Sequence, residues 1–142
     1  MTVTCGIYFI DKNGLLLVCK ATGGGWSIPK GLLEPDESLY DAAKRELFEE
    51  TNIDLHQYVF KQFCMLPERK YKKRNKKLIS YAVQVGVEHE NIMLRCNSFF
   101  IRNGNQFPEI EKFAWVTLES AENLLHESQI ANLSEIKTKI II

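Results

Sequence analysis

A chain of 142 residues with 45% hydrophobic and 25% charged side chains has the composition of an ordinary globular domain. A domain of ~150 residues buries roughly 70% of its unfolded surface, enough for a core that needs no staples. Disordered and collagen-like chains are excluded, and the apolar runs at 15–18 and 140–142 fall far short of the ~18 residues of a spanning helix. Lys plus Arg equals Asp plus Glu, 18 of each, but the charges are segregated. Residues 34–54 carry eight acidic and two basic side chains, and residues 61–77 carry eight basic and one acidic. Such blocks are either two solvated faces of opposite sign or a cation site beside an anion site. The N-terminal residues lack a basic n-region, so no signal peptide is expected. Cys5, Cys19, Cys64 and Cys96 have no metal or redox spacing, which reads as reduced thiols in a cytoplasmic protein.

Residues 3–10 are apolar and β-branched, and residues 15–20 form a second such run. The Asn13-Gly14 pair between them is a hairpin signal. Gly23-Gly24-Gly25 reads as a loop, and Trp26-Ser27-Ile28-Pro29 as extended chain, since the residue before proline avoids the α region. Residues 34–38 read as a helix start with Pro35 or Asp36 near the cap. The helix is expected from about 38 to 51, closed by Asn52 in the left-handed conformation. Strands are expected at 58–66, 78–87 and 113–118, a basic loop at 67–77, and a turn at Asn103-Gly104-Asn105. Residues 120–125 and 129–139 read as helical. The order of elements implies a mixed α/β or α+β sandwich.

The helix at 38–51 carries the chemistry. At ~100° per residue, Leu39, Ala43, Glu46 and Glu50 share one stripe. The apolar stripe therefore turns acidic in its last turns, with Glu49 alongside. Inward carboxylates require a compensating cation. Lys44, Arg45 and a divalent metal are the candidates; carboxylate oxygens with water and a substrate phosphate describe a magnesium or manganese site.

Gly31, five residues, Glu37, seven residues, then Arg45-Glu46-Leu47-Phe48-Glu49-Glu50-Thr51-Asn52-Ile53 resembles the box of the Nudix family. Every fixed polar position matches, and the single departure is Asn52 where the family has glycine. The flanking Trp26, Pro29-Lys30-Gly31 and Phe113-Ala114-Trp115-Val116 segments are similar to the family as well. The resemblance implies an α/β/α sandwich with a mixed β-sheet, spanning residues 1–142 as one domain. It implies hydrolysis of a nucleoside diphosphate linked to a further moiety, with Mg2+ or Mn2+ as cofactor. By position, Glu46, Glu49 and Glu50 would be metal ligands, joined by the Gly31 carbonyl. Glu37 and Arg45 would form a structural pair. The general base would be Glu46, Glu50, or a glutamate before the late strand, Glu109 being preferred over Glu111.

The basic residues 69–77 surround Tyr71. They read as a polyphosphate clamp with Tyr71 free to stack on a base, as an RNA contact, or as a solvated loop. Lys30, Arg69, Lys77 and Tyr81 are the expected substrate contacts. The segments 26–31 and 75–81 are similar to those of dinucleoside polyphosphate hydrolases, which makes a dinucleoside polyphosphate such as diadenosine tetraphosphate the favoured small-molecule substrate. A nucleoside triphosphate, a diphosphoinositol polyphosphate, an RNA 5′ pyrophosphate end, and a non-catalytic binding role are the alternatives. A monomer or homodimer without membrane contact is expected, with the 140–142 tail in an interface or in the core.

Overall fold

The computed structural model describes residues 1–140. Among the described residues, ten strands and three α-helices follow in chain order: β1 (Thr2–Ile10), β2 (Leu16–Ala21), β3 (Trp26–Ser27), β4 (Lys30–Leu32), α1 (Leu39–Thr51), β5 (Phe60–Met65), β6 (Arg69–Lys70), β7 (Lys76–Val85), β8 (Phe99–Arg102), β9 (Asn105–Pro108), β10 (Ile110–Val116), α2 (Leu118–Ala121) and α3 (Glu127–Lys139). The main sheet runs β10-β2-β1-β7-β5. Its centre is parallel, β1 beside β7, and its other pairs are antiparallel, so the sheet is mixed as expected.

Alternation along the central strands decides the layers. Ile7, Phe9, Ile79 and Val83 face α1, where they meet Ala42, Ala43 and Leu47. Tyr8, Ile10, Leu78 and Ala82 face α2 and α3, where they meet Leu118, Ala121, Leu133 and Ile136. Helices on both faces explain why β1 and β7 read as nearly unbroken apolar runs. Each fully buried Ile, Leu or Phe contributes roughly 1.5–3 kcal/mol relative to exposure. Ile140 is buried against α3's layer; residues 141 and 142 of the expected tail lie outside the described residues.

Three local expectations are refined. Ser38, rather than Pro35 or Asp36, caps α1: its hydroxyl accepts the Asp41 amide at 3.1 Å. Pro35 and Asp36 instead belong to a turn closed by the Glu37 amide on the Glu34 carbonyl, 3.4 Å. The basic 67–77 segment is a hairpin of β6 and β7, with only its tip irregular, because Tyr71 N–H closes it on the Lys76 carbonyl at 2.9 Å. The 97–106 region forms a second hairpin, β8–β9, turning at Asn103 (φ 53°) and Gly104 (φ 79°), the paired positive φ values that suit a two-residue turn.

Candidate active site on the box helix and the basic hairpin

The last two turns of α1 carry Glu46, Glu49 and Glu50. Glu50 is 8% exposed, and its carboxylate accepts the Lys30 amide at 3.3 Å. Burial, with the neighbouring Glu46 charge adding to it, pushes the Glu50 carboxyl up to about 8. Burial also raises Glu46, against the opposing hydrogen bond from Arg45. Gly31 in β4 lies so close that a Cβ there would overlap the Glu46 carboxyl group. That close approach, rather than any special dihedral, is what requires glycine at 31.

Arg45 organises the rest. Its Nε and one terminal nitrogen form a fork on the Glu37 carboxylate, at 2.7 and 3.0 Å. The same guanidinium donates to the Leu32 carbonyl at 2.9 Å, to Glu46 at 2.8 Å and to Glu49 at 3.1 Å. The fork from Arg45 holds the Glu37 carboxyl below its ordinary range. Arg45 thus ties the loop before the helix to the helix itself, using the planar geometry that carboxylate pairs favour.

Among the described residues, no three His, Cys, Asp or Glu side chains converge into a ready metal cage; Arg45 draws Glu46 and Glu49 toward itself. The donor set nevertheless fits a hard divalent cation, which takes oxygen ligands and retains waters. Two adjacent carboxylates, Glu46 and Glu50, are withdrawn from water and repel each other. The cradle at Gly31 leaves that side free of a Cβ.

Glu109 follows β9 with its backbone clamped on both sides: its amide donates to the Ser98 carbonyl (2.8 Å), and its carbonyl accepts the Thr22 amide (2.9 Å). Its charge reaches Glu46 and Glu50, adding to the repulsion that raises both. Glu111 is instead paired with Lys20 across β10 and β2.

Beyond Lys30 opens a cavity of about 480 Å³. Lys30, Lys72, Lys73, Arg74 and Lys76 line it with Trp26, Tyr71 and His126. Tyr71 stacks on His126 with ring centres 5.2 Å apart, and the Lys76 ammonium sits 4.9 Å over the Tyr71 ring. Partial burial, with the charges of Lys30 and Arg74 adding to it, lowers the Lys76 pKa. Among the described residues, Glu127, 3.5 Å from Lys72, is the one acidic side chain lining the cavity. An excess of close cations in a half-enclosed space is what an anion would relieve.

Three expected substrate contacts, Arg69, Lys77 and Tyr81, are not among the residues lining this cavity. Tyr81 is 7% exposed and packs against Tyr40 (5.1 Å) and Phe63 (5.9 Å) in the core beneath α1. Lys77 pairs with Glu68 at 3.0 Å; it alternates with Lys76 along β7, so only Lys76 reaches the cavity. Arg69 docks onto α3, donating to Asn132 at 2.8 Å. His126, Ser27 and Gln129 line the cavity without having been singled out in the sequence. No local pattern marks His126, which accepts the Ser128 amide as the cap of α3.

The model of the NUDIX domain family matches residues 1–135. This chain belongs to the Nudix family. An RNA pyrophosphohydrolase of Rhodopseudomonas palustris (strain HaA2) is 39% identical to this Nudix chain over 59 residues, 35% of either protein. Phosphatase NudJ of Escherichia coli O1:K1 / APEC is 45% identical over 56 residues, 37% of this chain and 35% of its own length. The alignments thus span about a third of these curated relatives. Among solved structures, an Ap4A hydrolase of C. elegans in a binary complex shares the Nudix fold with a TM-score of 0.73 at 19% identity, covering 97% of this chain and 96% of that one. The NUDIX domain of Shewanella oneidensis NrtR complexed with ADP ribose has a TM-score of 0.71 at 12% identity, covering 98% and 88%.

Proposed function

We propose that this Nudix chain is a divalent-metal-dependent pyrophosphohydrolase acting on a nucleotide with an extended polyphosphate, a dinucleoside polyphosphate being the favoured substrate. The observation that carries this reading is the continuity of the two halves of the site. The Lys30 backbone amide bonds the buried Glu50 carboxylate, while the Lys30 residue lines the five-cation cavity. A diphosphate lying at Glu46 and Glu50 would leave further phosphates and a base to enter that cavity. Lys and Arg are suited to hold the phosphates, and the Trp26 ring to meet the base. The Ap4A hydrolase that shares the fold over nearly the whole chain is in keeping with this choice.

Glu46, Glu49 and Glu50, with the Gly31 carbonyl, are the residues that would hold Mg2+ or Mn2+. When bound, the cation neutralises phosphate charge and lowers the pKa of water. Glu109, clamped at its own backbone and facing the carboxylates of α1, accepts the proton of the attacking water. Lys30 and Lys76 hold the polyphosphate against recoil. Arg45 and Glu37 keep β4 and α1 in register, so that the Gly31 carbonyl and the glutamates share one space.

An RNA 5′ pyrophosphate end is the second reading. It is favoured by the partial likeness to RNA pyrophosphohydrolases and by the exposed cations flanking the cavity. The test is a substrate panel with magnesium, products separated by chromatography, with Glu50→Gln as control. ATP and AMP from diadenosine tetraphosphate, lost in Glu50→Gln, is the expected result. Pyrophosphate released from 5′-triphosphorylated RNA, with the dinucleotide untouched, would transfer the assignment to RNA ends. Tight nucleotide binding without turnover would make the chain a binding module.

A further inference from the structure

The last carbonyls of a helix have no partners within it. In α1 they are met by one short segment. The Asn97 amide donates to the Glu49 carbonyl (2.7 Å) and the Arg95 amide to the Thr51 carbonyl (3.1 Å). Asn97 Nδ2 donates to the Phe48 carbonyl (3.1 Å) and to Oδ1 of Asn52 (2.9 Å). The Arg95 guanidinium donates to Asn97 Oδ1 (3.1 Å) and reaches the same Asn52 oxygen (3.5 Å). The next residue, Ser98, receives the Glu109 amide on its carbonyl at 2.8 Å. A short run of direct hydrogen bonds therefore joins the end of α1, which carries Glu46, Glu49 and Glu50, to Glu109.

Asn52 is where this chain departs from the box pattern. It holds φ at 69°, a conformation that glycine adopts without strain and asparagine tolerates. Glycine would close the helix equally well but would offer no oxygen to Asn97 and Arg95. The side chain has a purpose beyond the cap.

We propose that Asn52, Arg95 and Asn97 form a strap that positions Glu109 against the carboxylates of α1, with Asn52 supplying the acceptor that glycine lacks. The strap rests on the reading of Glu109 as the proton acceptor. These three are positioning residues; none touches the reacting atoms. Loosening the strap lets Glu109 wander while leaving the cation donors on α1 and the basic cavity in place, so the rate of the chemical step falls and substrate affinity does not.

Two measurements test this. Amide hydrogen exchange of the full chain reads the strap without any substrate. Exchange at Glu109 is expected to rise at least tenfold in Asn97→Ala, and to rise in Asn52→Gly, with the core amides of Ile7 and Val83 unchanged. Unaltered exchange at Glu109 in both variants would overturn the proposal. Steady-state kinetics then reads the positioning. Asn97→Ala is expected to lower kcat about tenfold with KM within about twofold, and to have no further effect in a Glu109→Gln background. A full additional loss in that background would overturn the positioning role. A chain that turns over nothing in the panel, yet shows the exchange response, would retain the strap and lose the hydrolase reading.

Discussion

At the scale of single residues, Glu50 is the clearest case of function set against stability. A carboxylate whose folded pKa lies near 8 keeps its proton in the folded chain through a range where the unfolded chain has released it. Folded-state stability therefore falls as pH rises from about 4.5 to 8 and levels off beyond. Glu50→Gln removes that titration. In EDTA the variant is expected to be more stable than the parent, by a margin that widens between pH 5 and 8, while hydrolysis is abolished. Denaturant midpoints across that range check it, and a margin independent of pH would mean that the Glu50 carboxylate is already compensated. Glu37 behaves in the opposite sense. Its lowered pKa, from the Arg45 fork, contributes stability above the ordinary carboxylate pKa that is lost as pH falls through the folded value. Gly31 adds a steric counterpart: Gly31→Ala pushes a methyl into the Glu46 carboxyl group. It is expected to cost at least about 100-fold in kcat/KM, in line with displaced catalytic geometry, measured on whichever panel substrate is cleaved.

At the scale of elements, the β6–β7 hairpin shows how position in a fold sorts a run of like charges. Seven basic residues in 69–77 look equivalent in the sequence. Folded into the hairpin, they divide. Lys72, Lys73 and Arg74 at the irregular tip line the cavity with Lys76, Arg69 and Lys77 are spent on Asn132 and Glu68, and Lys70 is exposed. Lys76→Ala and Arg74→Ala are accordingly expected to raise KM roughly tenfold with kcat little changed, and Lys77→Ala to leave KM within about twofold. The KM effect of the first two should shrink at high salt, because screening already weakens exposed charge contacts. Equal KM effects from Lys76 and Lys77 would contradict this division. At the other end of the site simple alternation does not hold, because the β10–β2 pairing is shifted between Ile110 and Lys112. The β8–β9 hairpin turns at Asn103-Gly104, as its sequence demands, and Glu109 emerges just beyond β9. Glu111, two residues on, faces Lys20 instead.

At the scale of the whole molecule, the sandwich brings a buried acidic helix end and a basic hairpin to neighbouring positions around Lys30. Divalent cation binding should stabilise such a fold, since the folded chain gathers the carboxylates that the unfolded chain scatters. At about 100-fold excess over Kd the gain is ~2.7 kcal/mol, or a rise of about 5–10 °C in Tm for a domain of this size. Thermal melts with Mg2+ or Mn2+ against EDTA check it, with Glu50→Gln expected to lose most of the rise. Magnesium and manganese both without effect on the melt of the parent chain would remove the cation from the proposal.

The amino-acid sequence by itself was enough for the box helix and its acidic stripe, because both rest on local periodicity, while the α/β/α layering came with the family resemblance. Apolar, β-branched runs marked β1 and much of β7; a period near 3.6 placed Glu46 and Glu50 on the inward face of α1; and Asn52 tolerates the φ that ends it. The family pattern likewise rests on fixed spacing within 23 residues. Which of several chemically equivalent side chains reach the site was settled by long-range packing alone. Tyr81 is expected from the sequence to meet substrate, yet it packs against Tyr40 and Phe63. Tyr71 meets His126, 55 positions along the chain, only because α3 folds back across the sheet. Asn97 reaches the end of α1 through hydrogen bonds between segments far apart in sequence. Such partners leave no periodic trace, since a side chain's reach across the sheet depends on what the intervening elements bury.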